Sequence, residues 1–336
     1  MTDEPSARAA TIYDVARLAG VSHQTVSRFL TGTGGIRPAN RARVEDALRT
    51  LNYRTNNTAR SLATRRTHRL GALVYELSGT GPGKTMQGAS DAARRAGYSL
   101  DIVSLDPLND LELTEALDVL NNRDLEGILA TAPTDAIDAA LRELKVSVPI
   151  FVDRGAEVRA GDALPTTGPY AAMAHLLELG HRRIAHLAGP DRWTSARIRA
   201  DAYRGSMAGA GLVELPIVAG DWSARSGYAA APELFAVPGV TAVFAANDRM
   251  ALGLMLWLHD NGRLIPGDVS VVGFDDVAEA EFFHPPLTTV RQDFDAMGRA
   301  AAETLIAMIE RPGAEADVGY PVPELIVRAS TGLPRG

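Results

Sequence analysis

Apolar positions along this chain follow two different periods. From residue 11 to 51 they recur at helical spacing. Ile12, Val15, Ala16 and Ala19 line one face of a first helix, and Gly20 then tolerates the positive φ at which such a helix stops. Val21 can plug the angle of a tight turn, Ser22 is a good N-cap, and residues 23–30 form a second helix with Val26, Phe29 and Leu30 inward. After a glycine-rich loop at 31–35, Pro38 suits the first turn of a third helix with an apolar stripe at Val44, Ala47, Leu48 and Leu51. A polar linker follows, with Leu62 its one conspicuous apolar residue.

From Arg69 the pattern changes to short apolar runs alternating with helical stretches. Residues 70–75, 100–104, 127–130 and 149–152 read as buried strands, and 86–96, 111–121 and 135–144 as helices between them. A second set repeats the scheme: helices at 170–179, 195–210, 226–235 and 248–260, strands at 184–187, 242–245 and 269–272, and a segment near Ile217. Such alternation predicts parallel sheets covered on both faces, in two similar lobes. The expected fold is a small all-α head followed by a two-lobed α/β core. The length of 336 residues suffices for both.

The first two helices and their turn make a helix-turn-helix. The outward face of the second carries His23, Gln24, Ser27 and Arg28, side chains able to read base edges or phosphates in a major groove. A helical hairpin can also be plain packing, and the charge distribution separates the two readings. Residues 1–70 hold twelve arginines and no lysine against five acidic residues, whereas the remainder holds 22 basic and 36 acidic residues. A chain of net charge −7 thus gathers its positive charge on the head, as neutralising DNA phosphates requires. Arg41, Arg43 and Arg49 on the third helix fit phosphate contact or a solvated helix face equally well. The chain has no cysteine, which excludes a disulfide framework, a thiolate metal site and a thiol nucleophile. No stretch approaches the roughly 18–20 apolar residues that cross a bilayer, so a cytoplasmic protein with no membrane partner is expected. No catalytic set, metal site or cofactor is expected either.

Ligands of open α/β sheets sit beyond the carboxyl ends of the strands. Asp153, Asn247 and Asp275 each follow a predicted strand, and Tyr75, Glu76 and Thr131 fall at strand ends by the same rule. Plainer readings compete: Asn247 before Asp248 suits a helix N-cap, and a lone loop tryptophan such as Trp222 is usually core. Residues 78–85 end in Gly-Lys-Thr like a phosphate-cradling loop. Ser78, however, stands where that motif needs glycine, and Pro82 removes an N–H donor, so this stretch is expected on the rim of the cleft, a P-loop nucleotide-binding protein being the alternative. Asp275 and Asp276 are adjacent and should point different ways. One ligand contact and one structural partner therefore suit them better than a catalytic pair.

The run Tyr13-Asp-Val-Ala-x-x-Ala-Gly-Val-Ser-x-x-Thr-Val-Ser-Arg28 resembles the start of the LacI family of bacterial transcription regulators, and the likeness continues to about Arg328. Gly220-Asp-Trp-Ser-Ala, Ala246-Asn-Asp-Arg-Met-Ala-Leu-Gly253 and Pro285-Pro-Leu-Thr-Thr-Val-Arg-Gln-Asp-Phe294 are similar to its lactose-repressor branch. The resemblance implies operator contacts from Thr11, Tyr13, Ser22, His23, Gln24, Thr25, Ser27 and Arg28. It also implies a hinge helix in which Asn57, Ala59 and Leu62 meet DNA, the leucine wedging into the minor groove. A helix of about eight residues is too short to be stable by itself, so the hinge should form only with its twin and DNA present.

For the core the resemblance implies a periplasmic-binding-protein-like fold crossed three times by the chain, near Thr167, Arg291 and Tyr320. The last long helix, residues 294–309, then returns to the first lobe. Domains are expected at 1–54 (head), 55–68 (hinge and linker) and 69–336 (core), with lobe 1 at about 69–166 and 292–320 and lobe 2 at about 167–291 and 321–330. Effector contacts are implied for Asp153, Arg199, Trp222, Asn247, Asp275, Gln292 and Phe294, while Tyr75, Glu76 and Thr131 have no clear family identity. Carboxylates, amides and a guanidinium around an aromatic plate suit a polyhydroxylated ring. Thr55 and Thr31 depart from the family's usual proline and asparagine, and loss of the proline loosens entry into the hinge. The chain ends soon after its last core strand, without room for a tetramerising tail helix, so a homodimer is expected. The expected function is repression at a palindromic operator, released by a galactoside-like sugar bound between the lobes. Corepression by a small metabolite is the alternative within the class, and a sugar-binding module without regulatory role lies outside it.

Overall fold

The computed structural model describes residues 10–31, 35–53, 66–77, 79–105, 115–116, 118–120, 123–131, 134–143, 146–153, 168–313 and 319–335. The expected hinge, with Thr55, Asn57, Ala59 and Leu62, lies outside the described residues, as does Thr167. The chain divides into two compact units, Met1–Thr67 and His68–Gly336.

The first unit holds α1 (Ile12–Ala19), α2 (His23–Thr31) and α3 (Pro38–Thr50). A capping box starts α1: the Thr11 hydroxyl accepts from the Asp14 N–H, and the Asp14 carboxylate accepts the Thr11 N–H at 2.9 Å. Gly20 ends it at φ 62°. Ser22 caps α2, its Oγ accepting the Thr25 N–H at 3.2 Å. Val15, Ala16, Ala19, Val26, Val44 and Ala47 form the buried core, with Phe29, Leu30, Leu48 and Leu51 packed around it.

The second unit contains two sheets. In the first, β1 (Arg69–Tyr75), β2 (Ser99–Leu105), β3 (Gly127–Thr131) and β4 (Ile150–Asp153) run parallel in the order β2-β1-β3-β4. Between them come α4 (Thr80–Arg95) and α5 (Asp135–Glu143), and residues 115–116 and 118–120 are also helical. The second sheet follows α6 (Gly168–Glu178). It comprises β5 (Ile184–Ala188), β6 (Ile217–Ala219), β7 (Ala242–Ala245), β8 (Ser270–Asp275), β9 (Thr288–Arg291) and β10 (Glu324–Ile326), in the order β10-β9-β8-β7-β5-β6. Only β10 is antiparallel. Its helices are α7 (Thr194–Gly209), α8 (Ala224–Leu234) and α9 (Asp248–Asp260).

After β9, α10 (Phe294–Glu310) joins the first sheet, where Ala301, Ala302, Leu305 and Ile306 enter the cluster of Leu70, Ala72, Val74 and Met86. The chain then returns to pair β10 with β9. Each lobe contains a helix pair that touches backbone to backbone through glycine. A Cβ on Gly298 of α10 would lie 1.8 Å from the Thr85 carbonyl of α4, and one on Gly253 of α9 would lie 1.8 Å from the Ala224 carbonyl of α8.

Two features differ from the sequence pattern. Helix α4 begins at Thr80, not near Met86, so Gly81 to Thr85 are helical and residues 79–85 form no phosphate-wrapping loop. Pro82 is compatible with this because first-turn N–H groups have no partner within the helix. Strands β9 and β10 form where crossings alone were expected; at three or four residues they are too short to display a period.

Candidate functional site

In the head, Ser22, His23, Gln24, Ser27 and Arg28 are exposed on one face of α2, and Thr25 is half-buried beside them. Tyr13, 62% exposed at the start of α1, lies with its ring 5.2 Å from that of His23, so the two helix starts share one surface. Thr11, Ser22 and Thr25 also serve locally: the Thr11 hydroxyl donates to Asp14 at 2.6 Å, and the Ser22 and Thr25 hydroxyls lie 2.9 Å apart. Arg41 pairs with Glu45, Arg49 with Asp46, and Arg43 donates to Asn40, all within α3.

In the core, a cavity of about 210 Å³ opens where four helices begin. Thr80, Gly81 and Pro82 come from α4, Trp193, Ser195, Ile198 and Arg199 from α7, Asn247 and Arg249 from α9, and Phe294 and Met297 from α10. Glu76, Gly79, Trp222, Asp275 and Gln292 complete the lining. Strand ends supply the rest of the geometry, since β1 and β8 stop at this point. Three non-glycine lining residues hold positive φ: Glu76 at 53°, Trp222 at 72° and Asp275 at 108°. Such backbone persists only where the surroundings over-determine it.

Arg199 is the hub. It is 5% exposed, donates to the Ala246 carbonyl, and lies 3.7 Å from Asp275 Oδ1. Its guanidinium stacks 3.9 Å from the Phe274 ring centroid and 5.8 Å from that of Trp222. Gln292 donates to Asp275 at 3.0 Å. Asn247 is both cap and lining: Oδ1 accepts the Met250 N–H at 2.8 Å, and Nδ2 donates to the Trp222 carbonyl at 3.1 Å, fixing the strained loop. Trp222 packs on Gly189, where a Cβ would come within 2.1 Å of its ring. Asp276 turns away from Asp275 and is held by Arg291 and Arg328, each at 2.7 Å.

Of the ten core residues singled out in the sequence, Glu76, Arg199, Trp222, Asn247, Asp275, Gln292 and Phe294 line this cavity. The other three lie outside its lining. Tyr75 is buried in the cluster of Leu73, Leu105 and Leu120. Thr131 turns its hydroxyl back to the Leu73 carbonyl at 3.3 Å, and Asp153 is buried and accepts from the Tyr320 hydroxyl at 2.7 Å. Trp193, Ile198, Arg249 and Met297 line the cavity without a strand-end position; the signal that finds them is their place at the N-terminal ends of α7, α9 and α10. Among the described residues no group of three or more His, Asp or Glu is placed to hold a metal ion, and no helix is long and apolar enough to cross a membrane.

Comparison with known proteins matches residues 11–56 to the bacterial regulatory proteins of the lacI family and residues 173–331 to the periplasmic binding protein-like domain. The lactose operon repressor of Escherichia coli (strain K12) is 32% identical over 333 residues, 96% of this chain and 91% of that one. The chain belongs to the LacI family. The transcriptional repressor PurR of Vibrio campbellii is 33% identical over 327 residues, 95% of this chain and 98% of its own. A crystal structure of the Lac repressor dimer bound to operator and the anti-inducer ONPF superposes with a TM-score of 0.84 at 29% identity, covering 97% of this chain and all of that one. As a LacI-family member the chain is a DNA-binding transcriptional repressor regulated by a small-molecule effector.

Proposed function

We propose that this repressor acts at a palindromic operator and is released from it by a saccharide of the galactoside type bound in the core cavity. One observation carries the reading: Arg199, Asn247, Asp275 and Gln292 converge with Trp222 on a single cavity. Each hydroxyl of a sugar donates and accepts, which matches a guanidinium, two amides and a carboxylate, while the apolar face of the ring packs on indole. In this reading Arg199, Asp275 and Gln292 bind the sugar, Phe294 closes one side, and Asn247 holds Trp222 in place. Glu76 stands at the rim as a candidate for sugar preference. Tyr75 acts from behind the wall, through the buried cluster on which Trp193 packs.

His23, Gln24 and Ser27 of α2 are the proposed base readers and Arg28 a phosphate contact, with Tyr13, Thr11, Ser22 and Thr25 setting the approach of the helix. Asn57, Ala59 and Leu62 are proposed as hinge contacts on the family resemblance alone. Because one head covers a half-site, the acting species is a homodimer at work in the cytoplasm, where its DNA lies. Leu252 and Leu256 on α9, 41% and 52% exposed, offer apolar surface for it. Release follows as linkage: an effector preferring the DNA-incompetent state weakens operator binding by some factor, and operator weakens effector binding by the same factor.

Fluorescence anisotropy of labelled DNA from just upstream of this protein's own gene, titrated with protein at fixed salt with and without a saccharide panel, tests the proposal. The expected result is palindrome-dependent binding weakened by one saccharide. Binding strengthened by a ligand would make the protein corepressor-dependent, and no sequence preference at all would overturn the operator reading.

A further inference from the structure

Helix α7 starts in an unusual way. Its N-cap is Trp193, which makes no side-chain cap hydrogen bond, although Ser, Thr, Asp and Asn are the residues that serve at this position. Thr194 and Ser195, both suited to capping, follow immediately. The indole is half-buried, lines the cavity, and packs against the first lobe's cluster of Leu73 and Tyr75 while belonging to a helix of the second lobe. It meets Trp222 edge to face, with ring centroids 6.1 Å apart and planes at 83°. Both indole Nε1 atoms are buried, and among the described residues neither finds an acceptor. Two orphaned donors at one cavity are a standing penalty unless something else supplies acceptors. An orthogonal aromatic pair presents two walls, so a single ring stacked on Trp222 leaves the Trp193 wall uncovered.

We infer that Trp193 is a specificity-determining residue: it forms the wall of a second subsite and selects effectors that carry a second ring beside the sugar, namely disaccharides or aryl glycosides, over monosaccharides. The inference rests on the reading of the cavity as a saccharide site. The first ring lies on Trp222 within reach of Arg199, Asp275 and Gln292. The second ring packs on the face of Trp193 beside Ile198.

Isothermal titration calorimetry on the full chain tests this with six probes: D-galactose, D-glucose, lactose, cellobiose, p-nitrophenyl β-D-galactoside and hypoxanthine. Trp193→Phe keeps a ring without the N–H, and Trp193→Asn gives α7 an ordinary cap, so the helix start is retained when the ring is removed. The wild-type protein should bind one two-ring glycoside at least about tenfold more tightly than the parent monosaccharide, the size of a good aromatic contact. Trp193→Asn should erase that ratio, and Trp193→Phe should keep most of it. If the wild type shows no such ratio, or Trp193→Asn weakens one-ring and two-ring ligands alike, the subsite is overturned while the saccharide reading stands. If no saccharide binds, or hypoxanthine alone does, the saccharide reading falls and takes the subsite with it.

Discussion

Asp248 and His186 give the second lobe two opposed proton linkages. Asp248 is fully buried at the first position of α9, accepting from the Thr289 hydroxyl at 2.6 Å and the Val277 N–H at 2.8 Å. Burial, then the charge of Asp275, pushes its carboxyl up to about 8, so it is mostly protonated at neutral pH. His186 is stacked between Tyr203 and Phe244, with Nδ1 2.9 Å from the Phe244 carbonyl, and burial lowers it to about 4. Between about pH 4 and 8 the folded chain therefore holds a proton on Asp248 that the unfolded chain has lost, and stability falls as pH rises. Between about pH 4 and 6.5 the unfolded chain holds a proton that folded His186 lacks, and stability rises with pH. His175 and His181, also lowered by burial, add to that rise. Above about pH 7.5, where the unfolded histidines have lost their protons too, the Asp248 arm stands alone. Urea unfolding should show stability declining by about 1 kcal/mol from about pH 7.5 to 9, and Asp248→Asn should remove that decline; an unchanged slope in the variant would refute the assignment. At this scale the sequence was informative where backbone position decides the role. Asn247 and Asp275 are legible from the strand-end rule, and both readings of Asn247, cap and lining, hold at once. Trp193 was not legible, because nothing local distinguishes a cap-position indole that faces a cavity from one that fills a core.

At the scale of elements, the two lobes are built on the same device, a glycine that lets two helices meet backbone to backbone. Gly298→Ala in α10 drives a methyl into the Thr85 carbonyl of α4 and forces the pair apart. Overpacking of this kind costs about 1–3 kcal/mol, which for a unit of this size lowers the melting temperature by several degrees, read by circular dichroism. Retention of the wild-type melting temperature would mean that the helices are free to separate. The alternation of strands and helices was readable because buried parallel strands are continuous apolar runs, although the run at 100–104 proves to be the edge strand β2, in which only Leu105 is buried. The start of α4 was not: Gly-Pro-Gly reads as a loop by propensity, and tertiary contact overrides it. Gly81 is needed there, since a Cβ would press to 3.0 Å against the Phe294 ring.

For the whole molecule, the decisive asymmetry is electrostatic and was fully visible in composition. Twelve arginines in residues 1–70 face five acids, while the rest of the chain is acidic, so DNA affinity must fall steeply with salt, by about 0.9 in log–log slope for each phosphate neutralised. Side chains at the start of a recognition helix meet base edges, and His23 and Gln24 stand there, exposed. Arg28 lies more than a turn further along the same exposed face. Its substitution by alanine should weaken operator and random DNA alike and reduce the slope by about two in a dimer whose heads each hold one phosphate through it. Gln24→Ala should leave the slope unchanged and instead lower the ratio of operator to random binding, by about 1–3 kcal/mol for each base no longer read. Anisotropy titrations at four salt concentrations with both DNAs separate the two effects. The opposite pattern, a salt effect from Gln24 and a specificity effect from Arg28, would mean that α2 enters the groove by its other end.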